Sequence, residues 1–93
     1  MEGVASEKVV GGKLVRVKVT YDDVITDVKI TGDFFLHPEE KIEDIEKSLF
    51  GVKVNADEKV FVEIINDVVK ENNIELIGVT PEAIAKVIKE AIK

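Results

Sequence analysis

One histidine, two adjacent aspartates, an acid-rich stretch and a Gly-Gly-Lys tripeptide are the residues of this sequence whose types suit chemistry. His37 could serve as a general base or a metal ligand. A base wants a partnered nucleophile within reach, and a metal site wants several strong ligands; neither accompanies His37. Because Pro38 follows it, His37 is expected to be extended and near a helix N-terminus, as a solvated or capping side chain. Asp22-Asp23 and the run Glu39, Glu40, Glu43, Asp44 could attract a cation, but the spacing of a calcium-binding EF-hand loop is absent. Gly11-Gly12-Lys13 resembles part of a phosphate-binding loop. The Walker spacing is missing, and a strand rather than a helix follows, so the amides are not gathered at a helix N-terminus. A two-residue hairpin turn is the preferred reading. No catalytic constellation and no metal site emerge.

A different feature stands out. Four Phe and one Tyr are the only aromatic residues, and two of them are adjacent in Gly32-Asp33-Phe34-Phe35. Along a strand, successive side chains point to opposite faces. One of Phe34 and Phe35 would therefore leave the core. Two readings stand: one ring plugs the core while the other shields a helix, or the outward ring forms a contact surface. Gly32 would mark a bulge or kink that re-aims the strand end.

Length and composition limit the rest. A chain of 93 residues is expected to form a single domain, residues 1–93, with one modest core. The absence of Cys excludes disulfides, thiolate metal sites and thiol catalysis. No apolar run approaches the roughly 20 residues of a membrane span, and the stretch Met1–Val10, interrupted by Glu2 and Glu7, has no signal-peptide pattern. A cytoplasmic protein is expected. The net charge of -6 disfavours nucleic acid and anionic membrane as partners. Residues 1–20 hold two acids and four bases, whereas residues 21–58 hold eleven acids and four bases. The acidic middle is read first as a solvated helix face, and second as a surface for a basic partner.

Strands are expected at about 3–10, 13–21 and 24–32. Val15, Val17, Val19 and Tyr21 share one face of the second, and Val24, Thr26, Val28 and Ile30 share one face of the third. Helices are expected at about 38–50, 56–72 and 81–92. Pro38 opens the first, with Ile42, Ile45 and Leu49 inward, Glu46 among the surface acids and Gly51 as the left-handed cap. Asn55 caps the second, with Glu58 completing a capping box. Thr80 caps the third, with Pro81 as its first residue. The stretch Ile74–Val79 fits either a buried connector or a short strand. The expected fold is α+β, a three-stranded antiparallel meander covered on one face by three helices.

The order Gly11-Gly12-Lys13-Leu14-Val15-Arg16-Val17, then Val28-Lys29-Ile30-Thr31-Gly32-Asp33-Phe34-Phe35, then Ile45-Glu46 with Leu49 and Gly51, then Gly78-Val79-Thr80-Pro81-Glu82 resembles the C-terminal accessory domain of lipoate–protein ligase. The resemblance spans about residues 8–93 and implies a non-catalytic accessory subunit of a two-part ligase, forming a heterodimer with a catalytic subunit. That subunit would hold ATP and lipoate, with Mg, and form lipoyl-AMP; the lipoyl-domain acceptor would be met only indirectly, and no cofactor would bind this chain alone. Within it, Gly32, Asp33, Phe34 and Phe35 are assigned to the partner interface, and Gly11, Gly12, Lys13 and Arg16 to an active-site contribution. The two groups are expected at opposite ends of neighbouring strands. Two other classes fit the size and composition less well. An iron–sulfur assembly protein is opposed by the lack of Cys, and a regulatory module would bind a small ligand between sheet and helices.

Overall fold

The computed structural model describes residues 1–9 and 13–92. Three strands, β1 (Glu2–Lys8), β2 (Leu14–Tyr21) and β3 (Ile25–Gly32), form an antiparallel sheet in the order β1-β2-β3. A 3-10 turn (Glu39–Lys41) leads into α1 (Ile42–Ser48), followed by α2 (Glu58–Glu71) and α3 (Pro81–Ala91). A second sheet pairs β4 (Phe35–His37) with β5 (Glu75–Ile77). The α+β meander under three helices is as expected.

Alternation in β2 explains why the sheet buries one face. Val15, Val17, Val19 and Tyr21 are buried, while Leu14, Arg16 and Lys18 are exposed. α3 packs against β1 and β2, α1 packs against β3, and α2 backs onto both helices. Phe61 and Ile65 of α2 and Ile84, Val87 and Ile88 of α3 fill the space between, all without exposed surface. The approach of α3 to β1 is close enough to demand a glycine. A Cβ at Gly3 would collide with the Ala91 carbonyl oxygen.

Several expectations need correction. In β3 the inward residues are Ile25, Val28 and Ile30, with Thr26 exposed and Val24 only bridged to Lys53. A register shift between Thr20 and Tyr21 inserts an extra residue opposite β2, which moves Ile25 inward. The second helix starts at Glu58, with Asp57 as its N-cap and no side-chain capping bond, so Asn55 caps nothing. Pro38 precedes the first turn rather than lying within it. Thr80 caps α3 as expected, its hydroxyl accepting from the Ala83 N–H at 3.1 Å.

Glu46 is the most informative correction. Helical spacing placed it on the surface, yet it is 8% exposed. Its Oε2 accepts the Ile30 N–H at 2.8 Å, a donor on the outer edge of β3 that would otherwise be orphaned. Segment 51–54 serves the same edge, since Ile25 N–H donates to Val52 and Gly51 N–H donates to Ile25. Glu46→Ala should therefore cost about 1–3 kcal/mol, the range for stranding a buried donor. Glu46→Gln, which keeps an acceptor oxygen, should recover most of that loss in a denaturant titration.

Lys89 fastens the loop before α2. Its ammonium donates to the carbonyls of Val54 and Ala56 at 3.1 and 2.8 Å and lies 5.5 Å from the Phe61 ring centroid. At the other edge of the sheet, the Lys86 ammonium donates to Glu7 Oε1 at 2.9 Å, tying β1 to α3. The Lys86 hydrogen bond, seconded by Glu90, holds Glu7 below the usual carboxylate range. The same arrangement raises Glu90, whose proton is drawn toward Glu7, and raises Lys86. The signs follow. Glu7 supports the fold above the usual carboxylate range and loses that effect as pH falls through its lowered pKa. Glu90 acts oppositely, favouring the fold while protonated and losing that effect as pH rises through its raised value. Lys86 loses its effect only in alkali. Amide exchange of β1 is expected to quicken in acid as Glu7 protonates, and Glu7→Gln should remove that step; equal acid response in both proteins would count against it.

Candidate partner interface

The end of β3 is built to send the chain from one sheet to the other. In register, Gly32 lies opposite Val15, so the end of β3 and the beginning of β2 are neighbours. Asp33 adds a further rung. Its N–H donates to the Leu14 carbonyl at 3.2 Å, and its carboxylate accepts the Leu14 N–H. Gly32 itself has no room for a side chain. A Cβ there would overlap the Leu14 carbonyl oxygen and stand 3.0 Å from two carbons of the Phe34 ring.

These constraints settle the orientation of the two rings. Phe34 is half-buried and packs against the core. Phe35 is 60% exposed. It opens β4, where it pairs with Ile77, itself 49% exposed. One step along, Leu36 and Leu76 pair and pack against the core, so the two-stranded sheet has an inner and an outer side. Phe35 and Ile77 thus form an apolar pair facing water.

Lys13 reaches the same place. Its methylenes pass over Gly78, where a Cβ would approach Lys13 Cγ to 2.9 Å. Its ammonium lies 5.9 Å from the Phe35 ring centroid, at the outer limit of a cation–π contact worth about 0.5–1 kcal/mol at an exposed site. The expectation that the Lys13 region and the Phe segment lie at opposite ends is therefore overturned. A strand that begins a hairpin must lie beside the end of the antiparallel strand that follows it.

The structure brings Lys13, Gly32, Asp33, Phe34 and Phe35 to one corner. Arg16 is not part of it; it stands on the uncovered sheet face between Ser6 and Thr31, with no ion-pair partner among the described residues. Gly11 and Gly12 lie outside the described residues. Ile77 and Gly78 were missed as contributors. Gly78 stood in the quoted Gly-Val-Thr-Pro segment, whereas Ile77 carried no signal beyond its strand-like neighbours. An open cavity of about 620 Å³ adjoins the corner, lined by Glu7, Val9, Gly78, Val79, Ala83 and Lys86 among others. His37 is exposed in β4 opposite Glu75. Among the described residues, no group of three or more His, Cys, Asp or Glu is arranged to hold a metal ion, and no helix is long and apolar enough to cross a membrane.

An exposed aromatic–aliphatic pair, a cation beside it and a backbone latch beneath are the chemical ingredients found in protein-contact patches. The family model for the bacterial lipoate protein ligase C-terminus matches residues 5–88, and the chain belongs to that family. A solved structure of a bi-partite lipoate protein ligase and its E2 lipoyl domain, from the archaeal lipoylation system of Thermoplasma acidophilum, contains a similar chain. The two are 28% identical, with a TM-score of 0.78 over 95% of this chain and 94% of that one. No curated protein matches the sequence.

Proposed function

We propose that this chain is the non-catalytic accessory subunit of a two-part lipoate–protein ligase, needed with its catalytic subunit for ATP-dependent conversion of lipoate to lipoyl-AMP. The observation that carries the reading is the match of residues 5–88 to the lipoate protein ligase C-terminus, and the corner shared by Lys13 and the Gly-Asp-Phe-Phe segment supports a docking surface. Phe35 and Ile77 dock on the catalytic subunit, with Gly32, Asp33 and Phe34 fixing their position. Lys13, with the neighbouring residues Gly11 and Gly12, is carried to the rim of the partner's nucleotide site. Adenylation presses a carboxylate against a polyphosphate, so it gains from a cation and from loops closed against water. ATP, lipoate and Mg belong to the catalytic subunit, the heterodimer works in the cytoplasm, and the lipoyl domain is met only through the partner.

The test is lipoate-dependent pyrophosphate exchange by the catalytic subunit with and without this chain. Exchange should depend on the added chain; an equal rate from the catalytic subunit alone would end the proposal. Lys13→Met should lower the exchange rate at saturating accessory subunit while leaving the affinity between subunits nearly unchanged.

A further inference from the structure

The two edges of the three-stranded sheet are treated differently. The β3 edge is occupied at Ile30 by Glu46 and at Ile25 by segment 51–54. The β1 edge is open. Its phase follows from two bonds, Tyr21 N–H to the Met1 carbonyl and Val9 N–H to the Lys13 carbonyl. These make Met1–Tyr21 and Val9–Lys13 hydrogen-bonded pairs, and so also Gly3–Val19, Ala5–Val17 and Glu7–Val15. The backbone groups of Glu2, Val4, Ser6 and Lys8 therefore point away from β2. No protein partner meets them among the described residues. Val4 on this edge is 48% exposed, and a groove runs beside it between Val4–Glu7 and Glu90 of α3. An edge of this kind is a template for another strand.

We infer that the open β1 edge pairs antiparallel with β1 of a second copy of this chain, joining two sheets into one of six strands around a two-fold axis through Ala5. The β1 edge is self-complementary, which favours a second copy as its partner. Outward-pointing residues must pair with outward-pointing residues, so the register centred on Ala5 places Glu2 opposite Lys8 of the other copy and Val4 opposite Ser6. The Glu2–Lys8 pair is opposite in charge and occurs twice by symmetry, with Glu2 also within 3.5 Å of Lys18 in its own chain, while Glu7 falls opposite Gly3.

The helices agree. α3 lies over β1 and β2, about one strand spacing from the axis, so the two α3 helices come to about 10 Å apart, an ordinary helix-packing distance. Gly3 lies beneath Ala91 and Glu7 reaches Lys86, which sets residues near Ile88 above Ala5. Lys86 of one copy then faces Glu90 of the other. Glu7, held by Lys86 and Glu90 of its own chain, lies beside this junction. The Phe35 corner belongs to the other sheet and stays free for a different partner.

Sedimentation equilibrium of the chain over a range of about 1–500 µM tests this. The expected result is a reversible approach to twice the 10.3 kDa chain mass. Ser6→Pro removes an outward N–H that β2 does not use, so it should give a monomer with a nearly unchanged melting temperature. Lys8→Glu should weaken the dimer at least tenfold, and Glu2→Lys combined with Lys8→Glu should restore it. A wild-type chain that stays monomeric throughout overturns the inference. So does a dimer indifferent to Ser6→Pro, or β1 amide protection that appears only when the catalytic subunit is added.

Discussion

Gly32→Ala is expected to lower folding stability by about 3 kcal/mol, which for a chain of this size is a drop of more than about 10 °C in melting temperature. Two costs combine. The new methyl would overlap the Leu14 carbonyl oxygen and press on two carbons of the Phe34 ring. The backbone there, at φ +156°, is also one that side-chain-bearing residues rarely adopt. Neither neighbour can retreat easily. The Leu14 carbonyl accepts from Asp33, and Phe34 is packed on the core. The check is thermal unfolding followed by circular dichroism, and a variant melting within about 3 °C of the parent protein would contradict the steric argument.

The second large effect separates two adjacent rings. Phe34→Ala should cost about 2–3 kcal/mol of stability, below the usual value for a fully buried ring because Phe34 is only half-buried. Phe35→Ala should leave stability within about 0.5 kcal/mol, since the ring is mostly in water. Its effect should instead fall on binding to the catalytic subunit, by about 30-fold, the size of a central aromatic contact. Titration calorimetry beside urea unfolding of both variants measures the contrast. If Phe35→Ala binds as tightly as the parent protein, the docking role of the Phe35–Ile77 pair is wrong.

Much of this was legible in the sequence, for particular reasons. The alternation Val15-Val17-Val19-Tyr21 has one physical outcome, a sheet with a single buried face. Thr80-Pro81 starts a helix through strictly local chemistry, a hydroxyl acceptor followed by a residue with no N–H to leave unpaired. Asn55 misled because α2 begins only at Glu58, after an extended Asp57 that makes no side-chain capping bond. Glu46 was unreadable locally, because the donor it satisfies belongs to Ile30, sixteen residues away. β4 and β5 were hard to foresee for a similar reason. Each has three residues, and their pairing joins positions about forty apart. The two adjacent rings announced that one must turn outward, but only the crowding at Gly32 decides which.

The seal on β3 has a consequence for solubility. A sheet with two bare edges can keep accepting strands and lengthen into a fibre. Here the carboxylate of Glu46 and the turn after α1 occupy positions on the β3 edge, and among the described residues the long bare edge of the three-stranded sheet is on β1. With β1 paired, the occupied positions on β3 leave that sheet little edge on which to grow. One buried acid on a short helix thereby helps limit how far the three-stranded sheet can extend through its backbone.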